Sequence, residues 1–171
     1  GGDMIMTSNS IIYPCSHPTN GGSALFRARH VTIDAGASVD ANYRGYAGTY
    51  GPGVSISRGG GGYGGAGGTA GGTEFGGASY GYPNGPVHAG SGSANGGYGS
   101  GFGGGVFRLE SSGIVTLNGT LTANGTNAFH DVGAGAGGSI FITCRRMTGT
   151  LGQFAARGGD TWGTSGGGGG G

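Results

Sequence analysis

The chain has 171 residues, 50 of them glycine, and balances eight basic against seven acidic side chains for a net charge of +1. One ordinary domain's length with so little charge excludes a long-range field for nucleic acid or anionic lipid. Five prolines and a broken glycine period exclude collagen, and no apolar run of about 18 residues exists to cross a bilayer as a helix.

Glycine at this level reads as disorder unless something constrains it, because glycine loses the most entropy on ordering. The constraint is a set of short apolar runs with period-two alternation, which points to strands. All eight basic residues are Arg, and they read as locally paired or solvating. No signal peptide is visible, and the opening Gly1-Gly2 reads as a processed product or an excerpt of a longer polypeptide.

Residues 1–20 begin with strand candidates at Met4–Thr7 and Ser10–Tyr13, followed by a Pro14 and Pro18 loop that carries Cys15 and His17. They read as a partial, terminal copy of a unit that recurs downstream. The first full copy is 21–42, GGSALFRARHVTIDAGASVDAN. Phe26 and Ala28 alternate there with Leu25, Arg27 and Arg29, Val31 and Ile33 with Thr32 and Asp34, and Val39 and Ala41 with Ser38 and Asp40. Three strands with tight turns in about twenty residues suit one coil of a parallel β-solenoid.

A long insertion, 43–103, follows. Glycines 59, 62, 65, 68 and 71 keep a period of three, with 61, 64 and 67 beside them. Period three is the repeat of the polyproline-II conformation, which makes no internal hydrogen bonds, so its amides need partners elsewhere. The expectation is a set of extended glycine helices packed on the flank of the coils; the competing reading is a solvated loop. Tyr43, Tyr46, Tyr50, Tyr63, Tyr80, Tyr82 and Tyr98 all fall within this insertion and either anchor it or pack between units.

The second copy is 104–125, with Phe107, Leu109, Val115, Leu117, Leu121 and Ala123 in matching places; the third is 133–158, with Phe141, Met147 or Leu151, Phe154 and Ala156. Stacking predicts ladders of Phe26, Phe107 and Phe141, of Val39, Leu121 and Phe154, and of Ala41, Ala123 and Ala156. It places Arg29 beside Glu110 on the opposite face, with Leu25, Val106, Ile140 and Ile142 needing cover from the insertion. The glycine-rich end, 159–171, closes with Gly166 to Gly171, which reads as the approach to a further strand. Met4, Ile5 and Met6 of a second unit are expected to supply that strand, so these three, Gly166 and Gly171 are the predicted assembly residues.

Two cysteines, Cys15 and Cys144, allow one long-range disulfide in an oxidising compartment, or two separate buried thiols. Asn118-Gly-Thr and Asn124-Gly-Thr have the form of glycosylation sequons, and both equally suit tight Asn-Gly turns.

The glycine runs leading into apolar strands, TLNGTLTANG, GAGAGGSIFIT, GTLGQFAARGG and the YPNGP–GSGSANGG–GFGGGVFRLE stretch resemble glycine-rich repeats in very large secreted or surface proteins of bacteria and protists. The resemblance spans most of 21–171. It implies a parallel β-helix, extracellular placement and a structural or adhesive duty, and it brings no catalytic motif.

Chemistry-bearing patterns are weak. The G-x-G-x-x-G matches arise from composition, with no strand–helix context for phosphate. Gly158-Gly159-Asp160 lacks the tandem spacing of calcium-binding β-rolls. Cys15-x-His17 offers two metal ligands where a closed site needs about four. His130-Asp131 has the form of an acid–base pair and reads as a polar loop. Asp34, Asp40 and Glu110 are scattered over different coils, unlike the clustered carboxylates of a polysaccharide-cleaving groove.

The expected architecture is therefore all-β, a right-handed parallel β-solenoid of about three to four coils with a glycine-rich, partly polyproline-II-like insertion. The expected role is a structural unit of an extracellular filament, self-assembled head to tail or in tandem, with neither enzyme activity nor a cofactor. The alternative is a cell-surface adhesin or carbohydrate-binding module with glycans as partners; an ice-binding face ranks lower, only Thr120 and Thr122 forming a Thr-x-Thr pair.

Overall fold

The computed structural model describes residues 1–171. It is all-β and contains no helix. Eleven short strands occur: β1 (Met4–Met6), β2 (Ile11–Ile12), β3 (Leu25–Ala28), β4 (Val31–Ile33), β5 (Ser38–Asp40), β6 (Val106–Ser111), β7 (Ile114–Leu117), β8 (Thr120–Thr122), β9 (Ser139–Thr143), β10 (Arg146–Thr148) and β11 (Gln153–Ala155). They pair only in parallel, in three sheets. The first is β3-β6-β9, the second β1-β4-β7-β10 and the third β2-β5-β8-β11. Every sheet takes each third strand of the chain, so successive three-strand groups lie in successive layers.

Period-two alternation puts one face of each strand inside. Val31, Ile33, Val39, Phe107, Leu109, Val115, Leu117 and Leu121 are buried in one core cluster with Met6 and Ala37. In the second sheet Met4, Val31, Val115 and Met147 form one row, so Met147 rather than the exposed Leu151 occupies the third-copy position. In the third sheet Val39, Leu121 and Phe154 stack as the alternation predicts, and Ile12 of β2 extends the row. The N–H of Ala41 donates to Thr122 and that of Ala123 to Ala155, which carries this register on to Ala41, Ala123 and Ala156.

The first sheet differs from the expected Phe26–Phe107–Phe141 ladder. Phe26 pairs with Leu109, and Leu109 with Ile142; Phe107 pairs with Ile140. Phe141 opposes Arg108 on the outer face, while Ile140 and Ile142 pack against the core. The shift also redirects the arginines. Arg27, not Arg29, meets Glu110, at 2.8 Å, and Arg29 instead grips Asp3 through two bonds of 2.9 and 3.0 Å. Pairing residues directly opposite is what a parallel ladder requires, and Arg29 lies beyond the end of β3.

Of 88 backbone–backbone hydrogen bonds, 66 lie outside the strand ladders, so the glycine-rich segments are themselves hydrogen-bonded. Successive amides leave in different directions. Gly60 donates to Gly68 at 3.0 Å, Gly61 to Ala134 at 2.8 Å and Gly62 to Gly53 at 2.8 Å. Ala134, Ala136 and Gly137 likewise donate to Gly166, Ser91 and Gly169. Glycine is required because the segments touch backbone to backbone: a Cβ on Gly104 would overlap the Ala123 carbonyl, and one on Gly60 the Gly167 carbonyl.

The insertion also covers the outer face of the first sheet. Val106 is fully buried with Tyr46 and Ala89. The Tyr63 hydroxyl lies 2.6 Å from Ser139 Oγ, which donates to the His88 carbonyl at 2.6 Å. The tyrosines thus divide. Tyr46 and Tyr63 are buried anchors and Tyr80 is half-buried, its hydroxyl bonded to the Ala89 carbonyl. Tyr43, Tyr50, Tyr82 and Tyr98 are exposed.

Candidate functional site: the ends of the sheets

At one end the outermost strands are β1, β2 and β3; at the other they are β9, β10 and β11. Edge strands carry unpaired N–H and C=O groups and are ready templates for another chain. Both ends add exposed apolar side chains: Ile5, Ile11 and Tyr13 at the first, Met147, Leu151 and Phe154 at the second.

The first end is tied to the next layer by side-chain bonds. Asp3 accepts both Arg29 bonds and the His30 N–H at 3.2 Å, fixing the start of β1 above β4. The Arg29 guanidinium holds the Asp3 carboxyl below its ordinary value of 3.8. Met6 turns into the core while Ile5 points away from it. The predicted assembly strand is thus the edge of the second sheet in its own chain, with one face committed to the core and one backbone edge unpaired.

The second end has a basic corner. Arg145 and Arg146 are exposed and form no ion pair, and with His30, Ser112 and Gly113 they line a groove of about 520 Å³. His30 Nδ1 accepts the Ile114 N–H at 3.0 Å, so its proton resides on Nε2, facing away from that bond.

Gly166 to Gly171 do not stand free. Gly166 donates to Arg58, Gly169 to Gly61 and Gly171 to Ala156, and Ala134 and Gly137 donate back to Gly166 and Gly169. The run is one more member of the glycine array, an arrangement the sequence signals only through its glycine content.

The other candidate residues resolve as follows. Cys15 and Cys144 are both free thiols. Cys15 follows β2 at one end of the stack and Cys144 follows β9 at the other. Three strand spacings of about 4.8 Å exceed the ~7 Å Cα separation a bridge tolerates. Asn118 and Asn124 do not form left-handed Asn-Gly turns, since neither they nor Gly119 and Gly125 have positive φ. Their side chains join layers instead. Asn118 Oδ1 accepts the Thr150 N–H at 3.0 Å and Asn124 Oδ1 the Arg157 N–H at 2.8 Å. His130 and Asp131 separate: His130 meets Phe129 edge to face with ring centroids 4.3 Å apart, and Asp131 bonds Arg58 at 3.1 Å. His17 Nδ1 turns into its own loop toward the Thr19 and Asn20 amides. No group of three His, Cys, Asp or Glu side chains converges.

Sequence reasoning missed Arg58, the most connected charged side chain. Its Nε donates to Glu74 at 2.7 Å, its Nη1 to Asp131 at 3.1 Å, and its carbonyl accepts the Gly166 N–H. It ties three glycine-rich segments together, and nothing local in an isolated SRGG sequence announces that. No family model matches the chain, and neither a curated protein nor a solved structure does.

Proposed function

We propose that the three sheets are the faces of a parallel β-solenoid flanked by polyproline-II-like glycine helices, and that the molecule is a structural unit of an extracellular filament. Units join head to tail through their open ends, and the role is mechanical. The extracellular placement rests on the resemblance to secreted glycine-rich repeats.

One observation supports the assembly reading: the rows of the second and third sheets run unbroken through four strands and end on the exposed Met147 and Phe154. Extending the rows Met4–Val31–Val115–Met147 and Ile12–Val39–Leu121–Phe154 by one step places Met4 of a following copy on Met147 and Ile12 on Phe154. The same step sets Asp3 opposite Arg146, an acid against the unpaired basic corner. A contact of this kind joins different surfaces and does not close, so it propagates as a fibre.

Electron microscopy and sedimentation over a concentration series test the proposal. Filaments that lengthen with concentration are expected, and Phe154→Glu is expected to abolish them while leaving the monomer's melting transition in place. A protein that stays monomeric at every concentration removes the head-to-tail reading. Phe154 and Met147 are better targets than residues 1–7, because Met6 is buried in the core and deleting β1 would open it.

A further inference from the structure

Three turns on the outside of the glycine array carry aromatic rings. They are 96–99 with Tyr98, 129–132 with Phe129 and His130, and 162–165 with Trp162. Each turn is closed by a backbone bond across its ends: Gly96 donates to Gly99 at 3.2 Å, Val132 to Phe129 at 2.9 Å and Ser165 to Trp162 at 2.9 Å. The turns recur with the layers. Phe129 and Trp162 are 33 residues apart, the interval that separates Gly105 from Gly138, the residues just before β6 and β9. Gly97, His130 and Gly163 stand at that same interval, and all three have positive φ, of 102°, 48° and 56°.

The turns are held side by side. A Cβ on Gly96 would overlap the Asp131 carbonyl, so the first turn lies directly on the second. Ser165 Oγ donates to the His130 carbonyl at 2.7 Å, and Ala128 N–H to the Asp160 carbonyl at 2.8 Å, which join the second turn to the third. The rings therefore form a row. Tyr98 and His130 have centroids 6.3 Å apart at a tilt of 39°, and His130 and Trp162 have centroids 6.2 Å apart at a tilt of 43°. Phe129 meets His130 edge-on from the side. These are spacings of packed aromatic pairs. Yet Tyr98 is 75%, Phe129 58% and Trp162 57% exposed, so most of each ring stays open.

We propose that this row binds an uncharged linear polysaccharide lying along the stack, one sugar ring to each aromatic ring. A ring in each successive layer suits a polymer of short repeat. The apolar face of a pyranose packs on an aromatic face, and its hydroxyls need hydrogen-bonding groups at the rim. Asp160 is exposed and forms no ion pair, and Asn127 accepts the Asp160 N–H through Oδ1 while its NH2 group has no partner.

Charge and width exclude other occupants. Glu74, Asp131 and Asp160 outnumber Arg58 on this side of the array, which repels the phosphates of a single-stranded nucleic acid that would otherwise suit stacking rings. A row one ring wide falls far short of the roughly 20–30 residues a side of a stable protein interface. The row runs from layer to layer along the side of the stack. Layers added at either end lengthen it without covering it, so the site does not depend on head-to-tail assembly.

Trp162 is the one tryptophan of the chain, so its fluorescence reports on the row. The full chain is titrated with cellohexaose, chitohexaose and maltohexaose. A saturable change in Trp162 emission is expected with at least one of them. Calorimetry with that sugar is expected to show binding weakened at least about fivefold in Tyr98→Ala and in Trp162→Ala, the loss that truncating a contact aromatic brings. Both variants are expected to keep the parental melting transition, since the rings are on the surface. Tyr82→Ala removes an exposed tyrosine outside the row and is expected to leave the affinity unchanged. Failure of all three sugars to bind overturns the proposal. Binding that survives both row substitutions overturns it as well, as does tighter binding of polygalacturonate or a single-stranded oligonucleotide than of the neutral sugars.

Discussion

The backbone N–H of Asn124 donates to Oδ1 of Asn42 at 2.7 Å, and Oδ1 of Asn124 in turn accepts the Arg157 N–H at 2.8 Å. Asparagine side chains thus replace strand pairing just beyond the third sheet, one layer to the next. Asn118 and Asn127 make the same kind of bond to Thr150 and Asp160. Asn124→Ala removes the acceptor of an exposed amide that water can reach, so a loss of about 0.5–1.5 kcal/mol is expected. Chemical denaturation measures it, and Asn124→Asp, which keeps an acceptor, is expected to lose less.

Alanine at glycine positions separates packed from free backbone. Gly104→Ala drives a methyl into the Ala123 carbonyl, whereas Gly85 has nothing within 4 Å of the equivalent point and no positive φ. The first change is expected to destabilise by about 1–3 kcal/mol or more, as overpacking does. The second is expected to be neutral or to stabilise by up to about 1 kcal/mol through the unfolded chain. Paired thermal melts of the two variants read the contrast.

Amide hydrogen exchange tests the glycine array directly. Gly60, Gly61, Gly62, Gly67 and Gly68 each donate to another segment of the array, so slow exchange is expected across them. Uniformly fast exchange through 59–77 would return the insertion to a solvated loop.

The acid limb of stability is expected to run through Glu74. Arg58 donates to its carboxylate and holds it below its ordinary value of 4.5. A lowered native value means the contribution is complete above about pH 4.5 and is lost as pH falls through the native value. Glu74→Gln is expected to flatten that limb, followed by exchange or by melting between pH 3 and 6. At the alkaline side, burial raises the Tyr80 hydroxyl above its ordinary value of 10.0. The unfolded chain then releases this proton first, and stability is expected to fall as pH rises beyond about 10.

A Phe107→Ala substitution empties a fully buried site at the centre of the core cluster and is expected to cost about 3–5 kcal/mol, read by urea unfolding.

The second and third sheets were legible in the sequence because Val31-Thr32-Ile33 and Thr120-Leu121-Thr122 alternate cleanly. The first sheet was not, since Val106 and Phe107 are adjacent, apolar and both buried. With the core on one side and the insertion on the other, period two no longer says which residue faces in. Aligning phenylalanine with phenylalanine then gave a slipped register and moved Glu110 from Arg27 to Arg29. That the glycine-rich insertion is hydrogen-bonded to other segments rather than left solvated is legible because unpaired amides need partners. Which segments would be those partners depends on contacts such as Gly61 with Ala134, 73 residues apart in the chain, and no local pattern encodes them.

The pairing of Leu25 with Arg108 also has a bearing on how the protein comes into being. A ribosome releases β3, β4 and β5 long before β6, and throughout that interval β4 and β5 have only the short β1 and β2 to pair with and β3 has no partner strand. The glycine-rich insertion gains some of its amide partners, near Ala134 and Gly166, only when those later segments emerge. Folding is therefore expected to be late, highly cooperative and slow, as non-local parallel pairing generally is. A nascent chain arrested before residue 106 is expected to remain protease-sensitive along its whole length.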